Sequence, residues 1–346
     1  MLYFLSDYTE GAHPKVLERL NELNMVSLPG YGTDDYCEAA KAKIRAACHR
    51  EDLQVWFLTG GTQTNQVVIS TMLRQYHSVI AAETGHINVH ESGAIEFTGH
   101  KVQALPQHEG KICPKELEAC LRHFYDVPAN FHPLPGMVYI SHPTEYGTIY
   151  SLTELEALSA VCRELGLYLF LDGARLGYGL RCPQNDVTLR DLSRLCDAFY
   201  IGGTKVGALF GEALVLTHPA LKEDFRYLIK QHGGMLAKGR LLGVQFDALF
   251  EDGLYFKISE HAVKMADKIR SALDDIGASY LVPGITNQIF PILPDDFLEE
   301  LGKNFMFTEM ERVDESHRAI RFCTSWASTQ DNVDALCSEI KRIAKM

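Results

Sequence analysis

The chain has 346 residues, 46% of them hydrophobic and 23% charged, which is enough to bury a large core and too apolar for a mainly disordered chain. Its formal net charge of -12 argues against a nucleic-acid partner, since phosphate binding needs a positive surface, and leaves anion binding to a local pocket. No segment approaches the roughly 18 uncharged apolar residues of a membrane span, so no membrane partner is expected.

The opening Met1–Asp7 lacks the basic region and apolar run of a signal peptide. Nine cysteines without a C-x-x-C pair read as scattered reduced thiols of a cytoplasmic protein, chiefly core filler. No metal site is expected. Short apolar runs then alternate with longer amphipathic ones, the pattern of an α/β protein with a mostly parallel sheet. Gln54–Leu58 reads as a buried strand ending in Thr59-Gly60-Gly61-Thr62, with a helix over Thr64–Gln75. Gly136–Ser141 is another strand. Ser151 and Glu154 have capping-box spacing and Gly166 stands at a C-terminal cap, which predicts a helix from Ser151 to Leu165. Strand Leu167–Leu171 follows and ends at Asp172; strand Asp197–Ile201 ends in Gly202-Gly203-Thr204-Lys205. The order strand, helix, strand is a parallel βαβ unit.

Past residue 250 the pattern changes. A helix is predicted over Ile258–Leu273, short strands at Ile289-Phe290 and Ile320–Phe322, and a closing helix with Val333, Leu336, Ile340 and Ile343 on one face. Residues 1–250 are read as an N-terminal segment with a large α/β domain, and 251–346 as a small α+β domain.

Ligands of open parallel sheets bind outside the carboxyl ends of the strands. Three predicted strands end there in useful chemistry. Gly60, Gly61 and Thr62 before a helix offer backbone N–H groups and a hydroxyl to a phosphate, although two glycines after a strand are ordinarily only a tight turn. Lys205 at a strand end is ordinarily a solvated charge, but a lysine of lowered pKa there forms a Schiff base. Asp172 at a neighbouring strand end suits a pyridine nitrogen; its rival role is a helix N-cap.

These pieces resemble the L-threonine aldolase and β-eliminating lyase family of the aspartate-aminotransferase fold. The likeness runs in order through Leu5-Ser6-Asp7, Gly60–Asn65, Gly85-His86-Ile87, Glu91-Ser92-Gly93, Leu171–Leu176, Thr204-Lys205 and Gly207-Ala208. It implies a pyridoxal-phosphate transferase-like large domain with a mostly parallel seven-stranded sheet, and pyridoxal 5'-phosphate as cofactor. Lys205 would carry the cofactor, Asp172 pair with its ring nitrogen, Gly60, Gly61 and Thr62 hold its phosphate, and His86 stack on the ring. Ser6, Arg175 and Arg321 would bind the substrate carboxylate; the rival role for Arg321 is a surface ion pair. Lys238 and Arg240 would reach the phosphate of a partner subunit in a homodimer or homotetramer with shared sites, and Tyr31 would border the pocket.

Two departures stand out. Where the family often has a histidine near the substrate hydroxyl, this chain has Glu145, and a tyrosine usual before Glu91 is His90. The reaction implied is cleavage of an L-β-hydroxy amino acid to glycine and an aldehyde. Glu145, His86 or a water would serve as the hydroxyl base, with His90 a weaker candidate. The alternatives are β-elimination or transamination on the same scaffold, and a non-catalytic ligand-binding relative.

Overall fold

The computed structural model describes residues 1–126, 131–219 and 224–346. A two-residue strand, β1 (Leu2–Tyr3), leads into the large sheet. That sheet is built from β2 (Gln54–Leu58), β3 (His77–Ala82), β4 (Val102–Leu105), β5 (Leu134–Ser141), β6 (Tyr168–Asp172), β7 (Ala198–Gly202) and β8 (Glu212–Leu216). Its order is β2-β8-β7-β6-β5-β3-β4, with seven strands. All run parallel except β8, which is antiparallel to both neighbours.

Helices cover both faces, so β7 and β8 are buried at every position and carry no alternating pattern. The helix after β2 starts at Gly61, three residues earlier than expected, because Gly60 acts as an extended N-cap without a side-chain bond. The helix Leu152–Leu165 has the expected capping box from Ser151 and Glu154, and Gly166 closes it at φ 70°.

The second sheet lies toward the carboxyl end. It contains β9 (Ser279–Tyr280), β10 (Gln288–Ile289), β11 (Pro291–Pro294), β13 (Thr308–Arg312) and β14 (His317–Cys323). The N-terminal β1 pairs in parallel with β12 (Phe305–Met306), and Phe4 is buried in the same core as Ile320, Phe322 and the apolar face of helix Gln330–Ile343. The chain therefore starts on the C-terminal lobe and crosses to the large sheet, which draws Leu5, Ser6 and Asp7 past the space between them. The expected division near residue 250 falls just before helix Leu254–Asp275. That helix serves both cores: Leu254, Tyr255 and Ile258 pack with the large sheet, and Met265, Ile269 and Leu273 with the small one.

Gly173 shows why the turn after β6 takes a glycine. A Cβ there would meet the Tyr200 carbonyl at 1.9 Å, and Gly202 donates its N–H to the Gly173 carbonyl at 2.9 Å. Backbone lies against backbone, with no flexible side chain to give way. Gly173→Ala is expected to cost on the order of 1–3 kcal/mol through forced shifts of the β6 and β7 ends. Urea unfolding of the two proteins measures it, and an unchanged midpoint would show that the close approach is dispensable.

Candidate active site

Because six strands are parallel, the ends of β2, β6 and β7 open on one edge of the sheet. The Gly60-Gly61-Thr62 loop, Asp172 and Lys205 all line one cavity of about 370 Å³ at that edge. A second cavity of about 750 Å³ adjoins it and reaches Arg321, His90 and Gln288. Tyr8, His86, Glu145, Arg175 and Lys205 border both, so Lys205 stands at the junction.

Asp172 is 4% exposed, and its carboxylate accepts four hydrogen bonds. Tyr200 and the Ala174 N–H donate to Oδ1 at 2.5 and 3.0 Å, and Tyr139 and Asn65 donate to Oδ2 at 2.6 and 3.2 Å. Burial opposes the charge, yet His86 and the donors from Tyr139, Tyr200 and Ala174 hold the carboxyl below its ordinary value. The N-cap of the following short helix is Arg175, so Asp172 is not spent on that role. Lys205 is likewise no solvated loop charge. Burial and the Arg175 charge pull its amine below the ordinary lysine value, against Asp7, Asp172 and Glu212.

The helix Gly61–Met72 points its N-terminus into the cavity, and its first intrahelical donor is Thr64 N–H, at 3.0 Å from the Gly60 carbonyl. The preceding amides and the Thr62 hydroxyl make an anion cradle without a basic side chain. Beside it, His86 Nδ1 lies 2.7 Å from Glu91 Oε1, and Asn65 Nδ2 donates to the same oxygen at 2.7 Å. Asn65 thus ties Glu91 to Asp172 and fixes the His86 ring. Glu145 Oε1 accepts from the Ser141 hydroxyl at 2.6 Å and the His86 N–H at 2.9 Å, and burial raises this carboxyl.

The two arginines differ. Arg175 forms a fork-to-fork pair with Asp7, at 2.7 and 3.0 Å, so two of its nitrogens are already committed. Burial alone would raise Asp7, but the Arg175 and Lys205 charges, with donors from Arg175 and Asn287, hold it below its ordinary value. Arg321 donates to neutral acceptors: the Leu5 carbonyl at 3.0 Å, Gln288 Oε1 at 3.2 Å and Thr308 Oγ1 at 3.4 Å. Among the described residues it has no carboxylate partner, and its buried Nε has no acceptor. It is a cation facing a cavity rather than half of a surface ion pair.

Other expected site residues lie apart. Ser6 sits between Leu5, which meets Arg321, and Asp7, which meets Arg175, but does not line either cavity. Lys238 and Arg240 border a separate surface cleft with Met25 and Gly30, and Arg240 donates to the Val26 carbonyl at 2.7 Å. Tyr31 lines another cleft, with Lys230 Nζ 4.5 Å from its ring centroid. Asp7, Asn65 and Glu91 stood within the resembling motifs without a role. Tyr139, Tyr200 and Glu212 carried no local signal, because each reads as one more strand residue.

This architecture is the aspartate-aminotransferase fold, a fold of pyridoxal-phosphate enzymes: aspartate aminotransferase of Thermus thermophilus superposes with a TM-score of 0.72 at 13% identity, covering 99% of this chain and 91% of that one. The chain belongs to the beta-eliminating lyase family, whose model matches residues 4–294. It is 32% identical to a low specificity L-threonine aldolase of Pseudomonas sp., over 98% of this chain and 97% of that protein. It is 43% identical to a Leishmania major threonine aldolase, with a TM-score of 0.97 and coverage of 99% and 100%. The protein is a pyridoxal-phosphate-dependent lyase.

Asp7 is fully buried and the Arg175 side chain is only 13% exposed, so removing the carboxylate leaves a poorly solvated guanidinium without its partner. Asp7→Asn is expected to cost about 3–5 kcal/mol, read as a lower urea midpoint at unchanged slope. A loss below about 1 kcal/mol would show that water replaces the carboxylate.

Proposed function

We propose that the protein cleaves an L-β-hydroxy amino acid of the threonine or allo-threonine type to glycine and an aldehyde, with pyridoxal 5'-phosphate as cofactor. The observation that carries this reading is that Lys205 and Asp172 line one cavity, with the carboxylate-free Arg321 in the cavity beside it. The threonine aldolases of Pseudomonas sp. and Leishmania major, similar over nearly the whole chain, support it.

The residues present fit the cofactor. Asp172, kept ionised while buried, suits a protonated ring nitrogen; the Gly60–Thr62 amides suit a phosphate; and Lys205, with a lowered pKa, is a nucleophilic amine. When bound, the cofactor supplies the electron sink for the breaking Cα–Cβ bond. Arg321 takes the substrate carboxylate, with Gln288 and the Leu5 carbonyl holding its guanidinium in place. Arg175 adds charge to that region but is already braced by Asp7. His86, fixed by Glu91, covers the ring.

Glu145 removes the proton from the substrate hydroxyl. Its Oε1 is committed to Ser141 and His86, which leaves Oε2 for the substrate. Burial raises the carboxyl and makes it a stronger base than an exposed glutamate. His90 is the second candidate; burial and the nearby His86, Arg321, Arg175 and Lys205 charges lower its pKa and keep it neutral.

The partner we propose is a second copy of the chain, contributing Lys238 and Arg240 to the neighbouring phosphate, and the compartment is the cytoplasm. Among the described residues no helix is long and apolar enough to cross a membrane. β-Elimination is the second reading, favoured by the family that matches the chain.

Incubation with threonine, allo-threonine and phenylserine should release glycine and an aldehyde, whereas elimination would release a keto acid and ammonia. Glycine from none of them ends the aldolase reading. Lys205→Ala should abolish the visible absorbance of the lysine-bound cofactor together with turnover. Glu145→Gln should lower kcat by about 10²–10⁴-fold and remove an acid limb of the pH profile. The sign follows from the base being the ionised form, so the rate climbs as pH rises through the Glu145 pKa. A glutamine variant of full activity would transfer the role to His90.

A further inference from the structure

We propose that Glu212 is a positioning residue for Lys205: it pins the turn that carries the lysine and, from the wall of the same cavity, supplies an anion that partly offsets the cations around the lysine nitrogen. The inference rests on the reading above in taking Lys205 as the reactive amine. Glu212 reaches the site through topology. It is the first residue of β8, the antiparallel strand, so it lies at the edge where the parallel strands end. Leu58 and Gly202 flank it in register, one before the glycine loop and the other before Lys205.

The carboxylate is tied to the lysine turn by both oxygens. Thr204 Oγ1 donates to Oε1 at 2.8 Å and the Gly203 N–H to Oε2 at 3.0 Å. Thr204 Oγ1 in turn accepts from the Gly211 N–H at 3.0 Å, and the Thr204 N–H donates to the Gly211 carbonyl at 3.1 Å. Residues 203–204 and 211–212 are therefore laced together immediately before Lys205.

A purely structural account explains the hydrogen bonds but not the charge. A glutamine would accept from Gly203 and donate to Thr204 without the cost of burying an anion. Glu212 is 3% exposed and, among the described residues, has no ion-pair partner within 4.0 Å. The charged or titratable groups that face it are Lys205, Asp172, Tyr200 and Tyr255. Lys205 is the cation among them. Burial pushes Glu212 up to about 7, and in its ionised form it opposes the burial and the Arg175 charge that lower Lys205. An anion there favours the protonated nitrogen.

The test reads the proton on Lys205 directly. The full chain is stripped of cofactor with hydroxylamine, and trace acylation of Lys205 by acetic anhydride is followed against pH by peptide mass spectrometry. Glu212→Gln should lower the Lys205 midpoint by roughly one pH unit. In the loaded protein, the pH at which the cofactor absorbance marks loss of the nitrogen proton should fall likewise. Glu212→Asp keeps the charge but withdraws it by one methylene, and should lower the midpoint by a smaller amount. It decides the matter should the glutamine variant fail to fold. Superimposable curves for parent and variant overturn the proposal and leave Glu212 as a turn brace. A parent chain that takes up no pyridoxal phosphate sinks the functional reading instead, while the acylation curves still decide this one.

Discussion

The site depends on keeping one carboxylate charged while it is almost wholly buried. Asp172 achieves this with four donors drawn from four segments: Tyr139 on β5, Tyr200 on β7, Asn65 on the helix after β2, and its own turn at Ala174. Burial and the carboxylate's own field push both tyrosines well above their ordinary range, so they remain protonated donors. A buried anion with this many donors constrains its neighbours in return. The register that sets Ser141 beside Asp172, and the pairing of Leu171 with Phe199, are the positions from which those donors reach it.

The second constraint is the path of the N-terminal segment. Pairing of β1 with β12 anchors the start of the chain on the smaller sheet, and the next residues cross to the large one. Along that crossing the Leu5 carbonyl meets Arg321 and the Asp7 carboxylate meets Arg175 and Asn287. One short stretch thus fixes two guanidinium groups that arise from different lobes. Arg175 is paired with a carboxylate and becomes a brace; among the described residues Arg321 has only neutral acceptors. The same residue type serves two ends because of what lies opposite it.

Strands β2, β5, β6 and β7, the capping box at Ser151 and the three loops at the strand ends were legible in the sequence because each is a local pattern. β3, β4 and β8 were not; in β8 the apolar run Ala213–Leu216 is only four residues long, too short to tell from a buried helix or loop segment. Asp7 stood inside a motif whose serine took the functional role, and only the fold shows that the carboxylate, 168 residues from Arg175, is the group in contact. Asn65 and Glu91 were visible as letters, but their value lies in a shared hydrogen bond across 26 residues. Lys238, Arg240 and Tyr31 lie in clefts of their own within one chain, so the roles proposed for them need a surface from a second.

Acidic groups outnumber what a cavity built for a phosphate and a carboxylate would be expected to carry, and their placement resolves the conflict. Asp7 is cancelled by Arg175, and Glu91 is hydrogen-bonded to His86 and Asn65. In the proposed arrangement Asp172 would pair with the cofactor's ring nitrogen. Glu145 and Glu212 are the two whose carboxyls burial raises, so each exchanges a proton more readily near neutrality than a paired carboxylate does. One borders the substrate cavity and the other the lysine turn. A histidine at position 145 would be a base that becomes cationic on accepting a proton, beside Arg321, Arg175 and Lys205. A carboxylate becomes neutral instead, which suits a site already rich in fixed cations. On that argument a carboxylate at position 145 suits the role proposed for it, and the same cations keep His90 neutral.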